Sequence, residues 1–164
     1  MEVSAFLLGE REMSGVEVRV GSLDEVTQVV ETIGEFARKE TVESLSERLS
    51  DKHDVLVLVA VEDRQLLGFK IGYRLDDTTY YSWLGGVSPL ARGKGVAQKL
   101  LDYQEAWVVD KGYRELKVKS RNQFPSMLRL LIRNHYQIED FERVDPLQES
   151  RIHFTKLLIA CELR

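Results

Sequence analysis

The sequence predicts a mixed α/β (α+β) fold: a single domain over residues 1–164, with a mostly antiparallel sheet of six to seven strands flanked by about four helices. A length of 164 residues suits one domain and is hardly enough for two. Hydrophobic residues make up 43% of the chain and charged residues 30%, which is typical of a folded globular protein. Segments with strand-like alternation and with helical spacing follow one another in the order β-α-α-β-β-β-α-β-α-β-β, which indicates helices on the faces of a mixed sheet.

The first part of the chain predicts one strand and two helices. Residues 16–20 alternate apolar and polar side chains, as a half-buried strand does. Ser22 or Asp24 can cap a helix whose apolar spacing extends to 36–37. A shorter helix is predicted over 41–49.

Three consecutive strands are predicted next. Residues 54–63 are a nearly continuous run of β-branched residues and leucine, which is typical of a central strand. A tight turn at 62–64 leads into the strand-like segment 64–76, so these two segments predict a hairpin. The third strand covers 78–87 and is interrupted near its end by a pair of glycines.

The second half of the chain predicts two more helices between strands. Residues 93–110 have apolar side chains at a period of 3.6, and Lys111 and Gly112 suit the C-terminus of that helix. Pro125 suits the first turn of a later helix. The remaining strand-like segments are 114–120, 136–142 and 151–159.

Composition argues against several classes of function. A net charge of -4 gives no support to nucleic-acid binding, and no apolar run approaches the roughly 18 residues of a membrane span. Cys161 is the single cysteine, which excludes a disulfide framework and predicts a buried inert thiol. Because the N-terminus does not resemble a signal peptide, a cytoplasmic location is expected. The three histidines are scattered in the sequence, so no metal site is expected.

The stretch VSPLARGKGVAQKLL, residues 87–101, carries the strongest functional pattern. Gly93 and Gly95 stand where a helix begins, although glycine is a poor helix former, and Arg92 and Lys94 lie beside them. The first N–H groups of a helix have no partner within it, and glycines let an anionic group approach them closely. The stretch favours a phosphate-binding loop; a plain strand-to-helix turn with a solvated basic rim is the alternative.

Two common phosphate-binding motifs do not match this stretch. A Walker loop needs a glycine where Ser88 stands and a serine or threonine where Gly95 stands. A dinucleotide-binding fingerprint needs a glycine where Gln98 stands, and its strand order differs from the predicted one.

The residues Val87-x-Pro89-x-x-Arg92-x-x-Gly95-x-Ala97 resemble the acyl-CoA-binding motif of the GCN5-related N-acetyltransferase (GNAT) family, Arg/Gln-x-x-Gly-x-Gly/Ala. Downstream, the segment NQFPSMLRLLIRNHYQI is similar to the family's fifth-strand asparagine and the fourth helix that follows it. The predicted order of elements is also the family's order, so the resemblance covers most of the chain.

The resemblance implies acetyl-CoA as co-substrate, with no metal ion. It implies that Val87, at the splayed end of the fourth strand, hydrogen-bonds the pantetheine arm and that Asn122 contacts the same arm. Gly85 and Gly86 fit a bulge or a close backbone approach at this place. The implied donors to the coenzyme pyrophosphate are the backbone N–H groups of Arg92, Gly93, Lys94, Gly95, Val96 and Ala97.

The chain departs from the family at the proton donor. Many members carry a tyrosine in the fourth helix as general acid toward the departing thiolate, and Leu131 stands at that position here. Tyr81, Ser126, a water molecule or direct release of the thiolate are the alternatives, because a thiol of pKa roughly 8.5–10 can depart without an acid. His135 replaces the family's helix-ending glycine, and Asn134 before it allows the turn to move by one residue.

The resemblance places the acceptor cleft beside the first two helices. An alkyl amine is about 0.04% neutral at pH 7, so a base, or a water chain ending at a carboxylate, assists its attack. Glu35 is the candidate base or amine-binding group, with Glu40 nearby; the alternative is that both are surface carboxylates. Tyr80, Tyr81 and Trp83 alternate across the fourth strand, so one face belongs to the core and the other can line the acceptor pocket.

The sequence therefore predicts an acetyl-CoA-dependent N-acetyltransferase, in which a primary amine of a small molecule or peptide attacks the thioester directly. A catalytically weak or inactive acyl-CoA-binding or regulatory domain is the alternative, and Leu131 favours it. A nucleotide-phosphate binder is a third hypothesis, which predicts ATP or GTP affinity comparable to that for coenzyme A. The acceptor and the oligomeric state stay open; a homodimer through late strands is expected only by analogy with other members.

Overall fold

The elements of the protein follow the predicted order in a computed structural model, which describes residues 15–34, 36 and 39–158. The strands are β1 (Glu17–Val20), β2 (Leu56–Glu62), β3 (Gln65–Arg74), β4 (Thr79–Val87), β5 (Glu115–Arg121), β6 (Gln137–Glu142) and β7 (Arg151–Leu157). The helices are α1 (Leu23–Val30), α2 (Val42–Leu49), α3 (Val96–Asp110) and α4 (Pro125–Arg133), with short 3-10 turns at Pro89–Ala91 and Leu147–Glu149. Among the described residues, no helix is long and apolar enough to cross a membrane. The prediction for Cys161 concerns a residue outside the described ranges.

The seven strands form one mixed sheet in the order β1-β2-β3-β4-β5-β7-β6, which confirms the predicted fold class. β1 pairs antiparallel with β2, and β7 pairs antiparallel with both β5 and β6. β4 and β5 are parallel, with α3 as the crossover between them. Their pairing runs from Thr79 opposite Glu115 to Ser82 opposite Val118, and both strands continue beyond it.

The chain divides into two compact units. The first comprises Met1–Ser50, Val57–Lys70 and Gly85–Leu101, and the second comprises Asp51–Leu56, Ile71–Leu84 and Asp102–Arg164. The first unit thus contains α1, α2 and the N-terminal turns of α3. The second contains α4 and the strands β5 to β7.

Each of the two short helices of the first unit is capped at its N-terminus by a reciprocal pair of hydrogen bonds. The Ser22 hydroxyl accepts from the Glu25 N–H at 3.2 Å, and the Glu25 carboxylate accepts from the Ser22 N–H at 3.0 Å. Thr41 and Ser44 form the same pair of bonds at the start of α2. These capping boxes satisfy N–H groups that have no partner inside a helix, which is why the predicted helix starts are correct.

Helix α1 is shorter than its apolar spacing predicts. The spacing extends to 36–37, whereas the helix ends at Val30 and a turn follows. The Lys39 ammonium donates to the carbonyls of Val30 at 3.0 Å and Ile33 at 2.5 Å, and the Ile33 N–H also donates to the Val30 carbonyl at 3.0 Å in the turn that follows the helix. Ile33 is buried all the same. The spacing therefore predicted the burial of Ile33 correctly and the helical conformation after Val30 wrongly, while residue 37 lies outside the described residues.

Strand β4 runs through Gly85 and Gly86, so the predicted interruption is wrong. A Cβ atom on Gly86 would lie 2.7 Å from Ile33 Cδ1 and 3.1 Å from both Phe36 Cζ and Phe69 Cε1. Glycine is required there because apolar side chains pack directly on the strand. A Cβ on Gly85 would lie 3.4 Å or more from its neighbours, which is ordinary contact.

Aromatic side chains fill the core of the second unit. Tyr80 is fully buried, and its ring centroid lies 5.6 Å from that of Trp107 and 5.3 Å from that of Tyr113. The Tyr80 hydroxyl donates to the Asp54 carbonyl at 2.9 Å, which satisfies its polar atom. Burial, together with a hydrogen bond to the Asp54 carboxylate, raises the pKa of Tyr113 to about 12.

A partly buried ion pair joins α3 to β7. Lys156 Nζ lies 3.0 Å from Glu105 Oε2, and the Tyr136 hydroxyl donates to Glu105 Oε1 at 2.8 Å. Burial, followed by the negative charge of Glu105, raises the pKa of Tyr136 well above its usual value. The phenol therefore stays protonated and serves as a structural donor.

The turn after α4 is centred on His135. Pro125 begins this helix as predicted, and the chain reverses after it with φ of 70° at His135 and -93° at Asn134. The prediction that Asn134 adopts the left-handed conformation is therefore wrong, because His135 adopts it. The Tyr136 N–H donates back to the Leu131 carbonyl at 3.0 Å, the long bond of a Schellman-type helix end, and this bond holds His135 in the left-handed conformation.

The ion pair between Arg19 and Glu25 predicts a loss of stability in acid. The Arg19 hydrogen bond lowers the pKa of Glu25 to about 2. A depressed carboxylate pKa stabilises the fold fully above the unfolded value of roughly 4.3, and the contribution is lost as pH falls toward the folded value. We expect Glu25→Gln to flatten the pH dependence of the free energy of unfolding between about pH 5 and pH 2, measured by urea denaturation.

The matched control for this variant is Ser22→Ala. Glutamine keeps an oxygen for the Ser22 N–H, whereas Ser22→Ala removes the cap and leaves the Arg19–Glu25 pair in place. This control should lower the free energy of unfolding by about 1 kcal/mol while most of the acid slope remains. An unchanged slope in Glu25→Gln would contradict the prediction.

The adjacent glycines of β4 predict different responses to alanine. Gly86→Ala should lower the free energy of unfolding by about 1–3 kcal/mol, as overpacking does. Gly85→Ala should change it by less than about 1 kcal/mol, because its Cβ has room. Urea denaturation of both variants measures the difference, and equal destabilisation would refute the packing argument.

Candidate active site

The loop between β4 and α3 is anchored at its start. The Ser88 N–H donates to the Leu67 carbonyl at 2.8 Å, which attaches the loop to β3, and the Ala91 N–H donates to the Ser88 carbonyl at 2.9 Å. Ser88 and Ala91 are both buried. Val87, the predicted partner of the pantetheine arm, is half-buried and is the last residue of β4 before this anchor.

Two left-handed glycines separate this anchor from the helix. Gly93 and Gly95 have φ of 82° and 76°, a conformation that costs a residue with a Cβ roughly 1–2 kcal/mol. Since left-handed residues cannot continue a right-handed helix, α3 begins at Val96 and not at 93 as predicted. A Cβ on either glycine would meet nothing within 4 Å, so conformation and not packing requires glycine here.

Backbone N–H groups are available at the end of this loop. Within the described residues, five consecutive N–H groups have no carbonyl partner: those of Gly93, Lys94, Gly95, Val96 and Ala97. The Lys99 N–H donates to the Gly95 carbonyl at 3.1 Å, as in a regular helical turn. Successive N–H groups around left-handed residues form an anion-binding concavity, and the helix dipole adds partial positive charge there.

Arg92 differs from the other five residues predicted to donate N–H groups. Its N–H donates to the Pro89 carbonyl at 3.4 Å, a long bond within the preceding turn. The N–H groups open to a ligand therefore run from Gly93 to Ala97.

Nearby lysine side chains already contact the protein. Lys94 Nζ lies 3.6 Å from Glu62 Oε1, and Lys99 Nζ donates to the Val16 carbonyl at 3.0 Å. These ammonium groups add positive charge to that of the fixed N–H groups and the helix dipole.

Gly68 in β3 sets the position of α3. A Cβ on Gly68 would lie 3.0 Å from both the Gly86 carbonyl oxygen and Val96 Cγ1, and 3.3 Å from Leu100 Cδ1. Val96 and Leu100 are buried, so the first turn of the helix packs directly on the strand. Sequence reasoning missed Gly68, although a glycine inside a long apolar strand is the signal for such a close approach.

Asn122, the second predicted contact of the pantetheine arm, follows β5 in the second unit. Its N–H donates to the Ser150 carbonyl at 2.8 Å, and its side-chain nitrogen donates to the Leu147 carbonyl at 3.5 Å. The residue is exposed. Because the side-chain nitrogen faces a carbonyl, the side-chain oxygen is oriented by the protein as an acceptor.

The two predicted catalytic residues are not brought together by the described structure. Glu35 lies outside the described residues. Tyr81 lies half-buried in the second unit. Its ring is edge-on to that of Tyr73, with 5.5 Å between the ring centroids, and the Lys119 ammonium lies 5.9 Å from the Tyr81 ring centroid. Glu40, the neighbouring carboxylate, accepts from a serine hydroxyl at 2.6 Å at the start of α2.

Leu131, which the resemblance matches to the family's tyrosine, is fully buried and belongs to the core of the second unit. The hydroxyls of Tyr80 and Tyr113 both contact Asp54, so these tyrosines serve the core as well. Ser126 is exposed in the first turn of α4. No group of side chains suited to a metal ion occurs among the described residues.

The chain matches the model of a protein family described as "Acetyltransferase (GNAT) family" over residues 24–131. This range includes the loop before α3 and the first turns of α4. No match was found among curated proteins.

Solved structures share the fold across almost their whole length. The ribosomal-protein-S18-alanine N-acetyltransferase from Escherichia coli superposes with a TM-score of 0.75 at 12% identity, covering 87% of this chain and 94% of that one. Ard1 from Thermoplasma volcanium gives 0.74 at 13% identity, with 87% and 97% covered. A GNAT family acetyltransferase from Elizabethkingia anophelis with acetyl-CoA bound gives 0.68 at 14% identity, with 88% and 99% covered. The family model and the fold agree, and this chain belongs to the GNAT acetyltransferase family.

Proposed function

We propose that the protein is an N-acetyltransferase, which transfers the acetyl group of acetyl-CoA to a primary amine of a small molecule or peptide. The observation that carries the proposal is the row of N–H groups from Gly93 to Ala97 without carbonyl partners in the described chain. Membership in an acetyltransferase family supports acetyl-CoA as the donor, as does the coenzyme bound to the Elizabethkingia relative.

The loop fits the pyrophosphate of the coenzyme on two counts. Its N–H groups are fixed by the anchored turn, so they need no reorganisation to meet an anion. No heavy atom lies within 4 Å of the position that a Cβ would occupy on Gly93 or Gly95. An anionic group can therefore approach the backbone there. In the proposed complex, Val87 meets the pantetheine arm with its backbone, and Asn122 stays the predicted contact in the second unit.

The bound coenzyme supplies an activated thioester carbonyl, and the protein must position the amine and manage its proton. Glu35 is proposed to accept that proton, directly or through water, because an ammonium group cannot attack. A backbone N–H between Gly85 and Val87 is proposed to stabilise negative charge that develops on the carbonyl oxygen. Tyr81 or Ser126 is proposed to protonate the thiolate, which also can leave unaided.

A second candidate function is acyl-CoA binding without catalysis. The buried Leu131 favours it, because the core places no acid at the position that many family members use. Calorimetry with coenzyme A, combined with thiol release from acetyl-CoA over a panel of primary amines, separates the two candidates. Binding with no turnover on any amine supports the second one.

Substitution of Gly95 tests the site of the pyrophosphate. Gly95→Asp should weaken coenzyme A binding at least about 100-fold, because it brings a side chain and a negative charge against the phosphates. Gly95→Asn is the matched control, since both residues tolerate the left-handed conformation and only aspartate is charged. We expect the asparagine variant to bind at least about 10-fold tighter than the aspartate variant in calorimetry. Retained micromolar binding by Gly95→Asp, with the fold intact, would place the coenzyme elsewhere.

Direct transfer predicts a ternary-complex kinetic pattern. Initial rates measured over a grid of acetyl-CoA and amine concentrations should give intersecting double-reciprocal lines, because both substrates are bound when the acetyl group moves. Parallel lines indicate a covalent acetyl-enzyme and would exclude direct attack by the amine.

A further inference from the structure

One face of the sheet in the second unit carries three cationic side chains and a histidine across two strands. In the pairing of β5 with β7, Lys119 lies opposite His153 and Arg121 lies opposite Arg151. Directly opposed residues of paired strands point to the same face, and alternate residues of one strand do too. All four side chains therefore share one face, which the half-buried and exposed side chains of these positions leave open to solvent.

This face is opposite to the one that α3 covers. Tyr80 and Trp107 are in contact, so the helix packs on the face that carries Tyr80. Tyr81 is next in β4 and points the other way. It lies opposite Lys117 of β5, which is two residues before Lys119 in the same strand, so Tyr81 belongs to the face of the cations.

Arg121 and Arg151 form a like-charge pair across the strands. Directly opposed side chains have their Cβ atoms about 4.5–5.5 Å apart, and two like charges at this distance are destabilising. Within the described residues, neither guanidinium has a carboxylate partner. Glu142 lies opposite Arg151 in β6, but its Oε2 lies 3.3 Å from His153 Nε2.

The other carboxylates of β6 are also engaged elsewhere. Glu139 Oε1 accepts from Lys117 Nζ at 2.7 Å, and Asp140 accepts from the Phe141 N–H at 2.8 Å. Neither carboxylate is paired with Arg121 or Arg151, so within the described chain no ion pair compensates these two guanidinium groups. Two arginines present planar forks of N–H donors that match a carboxylate or a phosphate.

An aromatic surface continues from these cations. The Lys119 ammonium lies 5.9 Å from the centroid of the Tyr81 ring. Tyr73 packs against Tyr81 at 5.5 Å and against Trp83 at 6.3 Å. Tyr73 is buried, so a ligand on this face meets the half-buried rings of Tyr81 and Trp83 at one end and guanidinium groups at the other.

We infer that the acceptor amine carries an anionic oxygen group, a carboxylate or a phosphate, which binds between Arg121 and Arg151. The inference rests on the proposed function and narrows its substrate class. Arg121 directly precedes Asn122 in the sequence, the residue matched to the family's pantetheine contact. The net charge of -4 is compatible with a cationic acceptor but selects none, and the local charges decide what binds on this face.

Binding of matched probes tests the inference without requiring turnover. Calorimetric or NMR titration compares N-acetylphenylalanine with its uncharged amide, N-acetylphenylalaninamide, and phenyl phosphate is the third probe. We expect the wild-type protein to bind the carboxylate at least about 10-fold tighter than the amide. Tighter binding of phenyl phosphate than of the carboxylate assigns the anionic group as phosphate, and the reverse order assigns it as carboxylate.

Variants of the two arginines test whether these side chains cause the tighter binding of the charged probe. Arg121→Gln and Arg151→Gln should each abolish the preference for the charged probe and should not lower the unfolding temperature, because each relieves the like-charge pair. Arg129→Gln, an exposed cation of α4, is the matched control and should keep the preference. Equal affinity for acid and amide, a preference that survives both variants, or no saturable binding of any probe overturns the inference.

Coenzyme A binding, measured on the same wild-type sample, keeps this inference separate from the proposed function. If coenzyme A binds and the probes do not discriminate, only the anionic acceptor is refuted. If the probes discriminate and coenzyme A does not bind, the proposed acetyl transfer is refuted and an anion site remains.

Discussion

The site depends on how helix α3 begins. Two residues with positive φ, Gly93 and Gly95, stop the helix from extending back toward β4, and five N–H groups are left without carbonyl partners in the described chain. Ser88 ties the loop to β3, and the absent side chain of Gly68 lets the first helical turn pack on the same strand. The donors are thereby held in place before any ligand arrives, which is the condition for strong anion binding by backbone groups.

The two halves of the proposed chemistry rely on different parts of the chain. In the proposal, coenzyme recognition uses backbone N–H groups, which almost any residue supplies provided that the glycines are present. The fold is accordingly shared with solved structures at 12% to 14% identity. Proton transfer uses side chains, and there the family tyrosine is replaced by the buried Leu131. A chain can therefore keep the coenzyme loop while its acid and base change.

The net charge of the protein differs in sign from the local charge at Arg121 and Arg151. The whole chain is mildly acidic, but the carboxylates nearest to Arg121 and Arg151 contact other groups. Two directly opposed arginines destabilise the folded protein through charge repulsion. In the proposal, an anion that binds between them during function removes this repulsion. Aromatic rings beside Lys119 add an apolar surface, so the face suits an acceptor with both characters.

The sequence by itself determined the features that depend on neighbours in the chain. The order of elements, the capping boxes at Ser22 and Thr41, and the glycine loop follow from periodicity and local hydrogen bonds, which act within a few residues. The structure decided where α1 ends, since a turn with bonds from Thr32 N–H to the Val29 carbonyl and from Ile33 N–H to the Val30 carbonyl replaces the helix that the apolar spacing predicts. It also decided that Arg121 faces Arg151, because strand register depends on side chains and turns far apart in sequence.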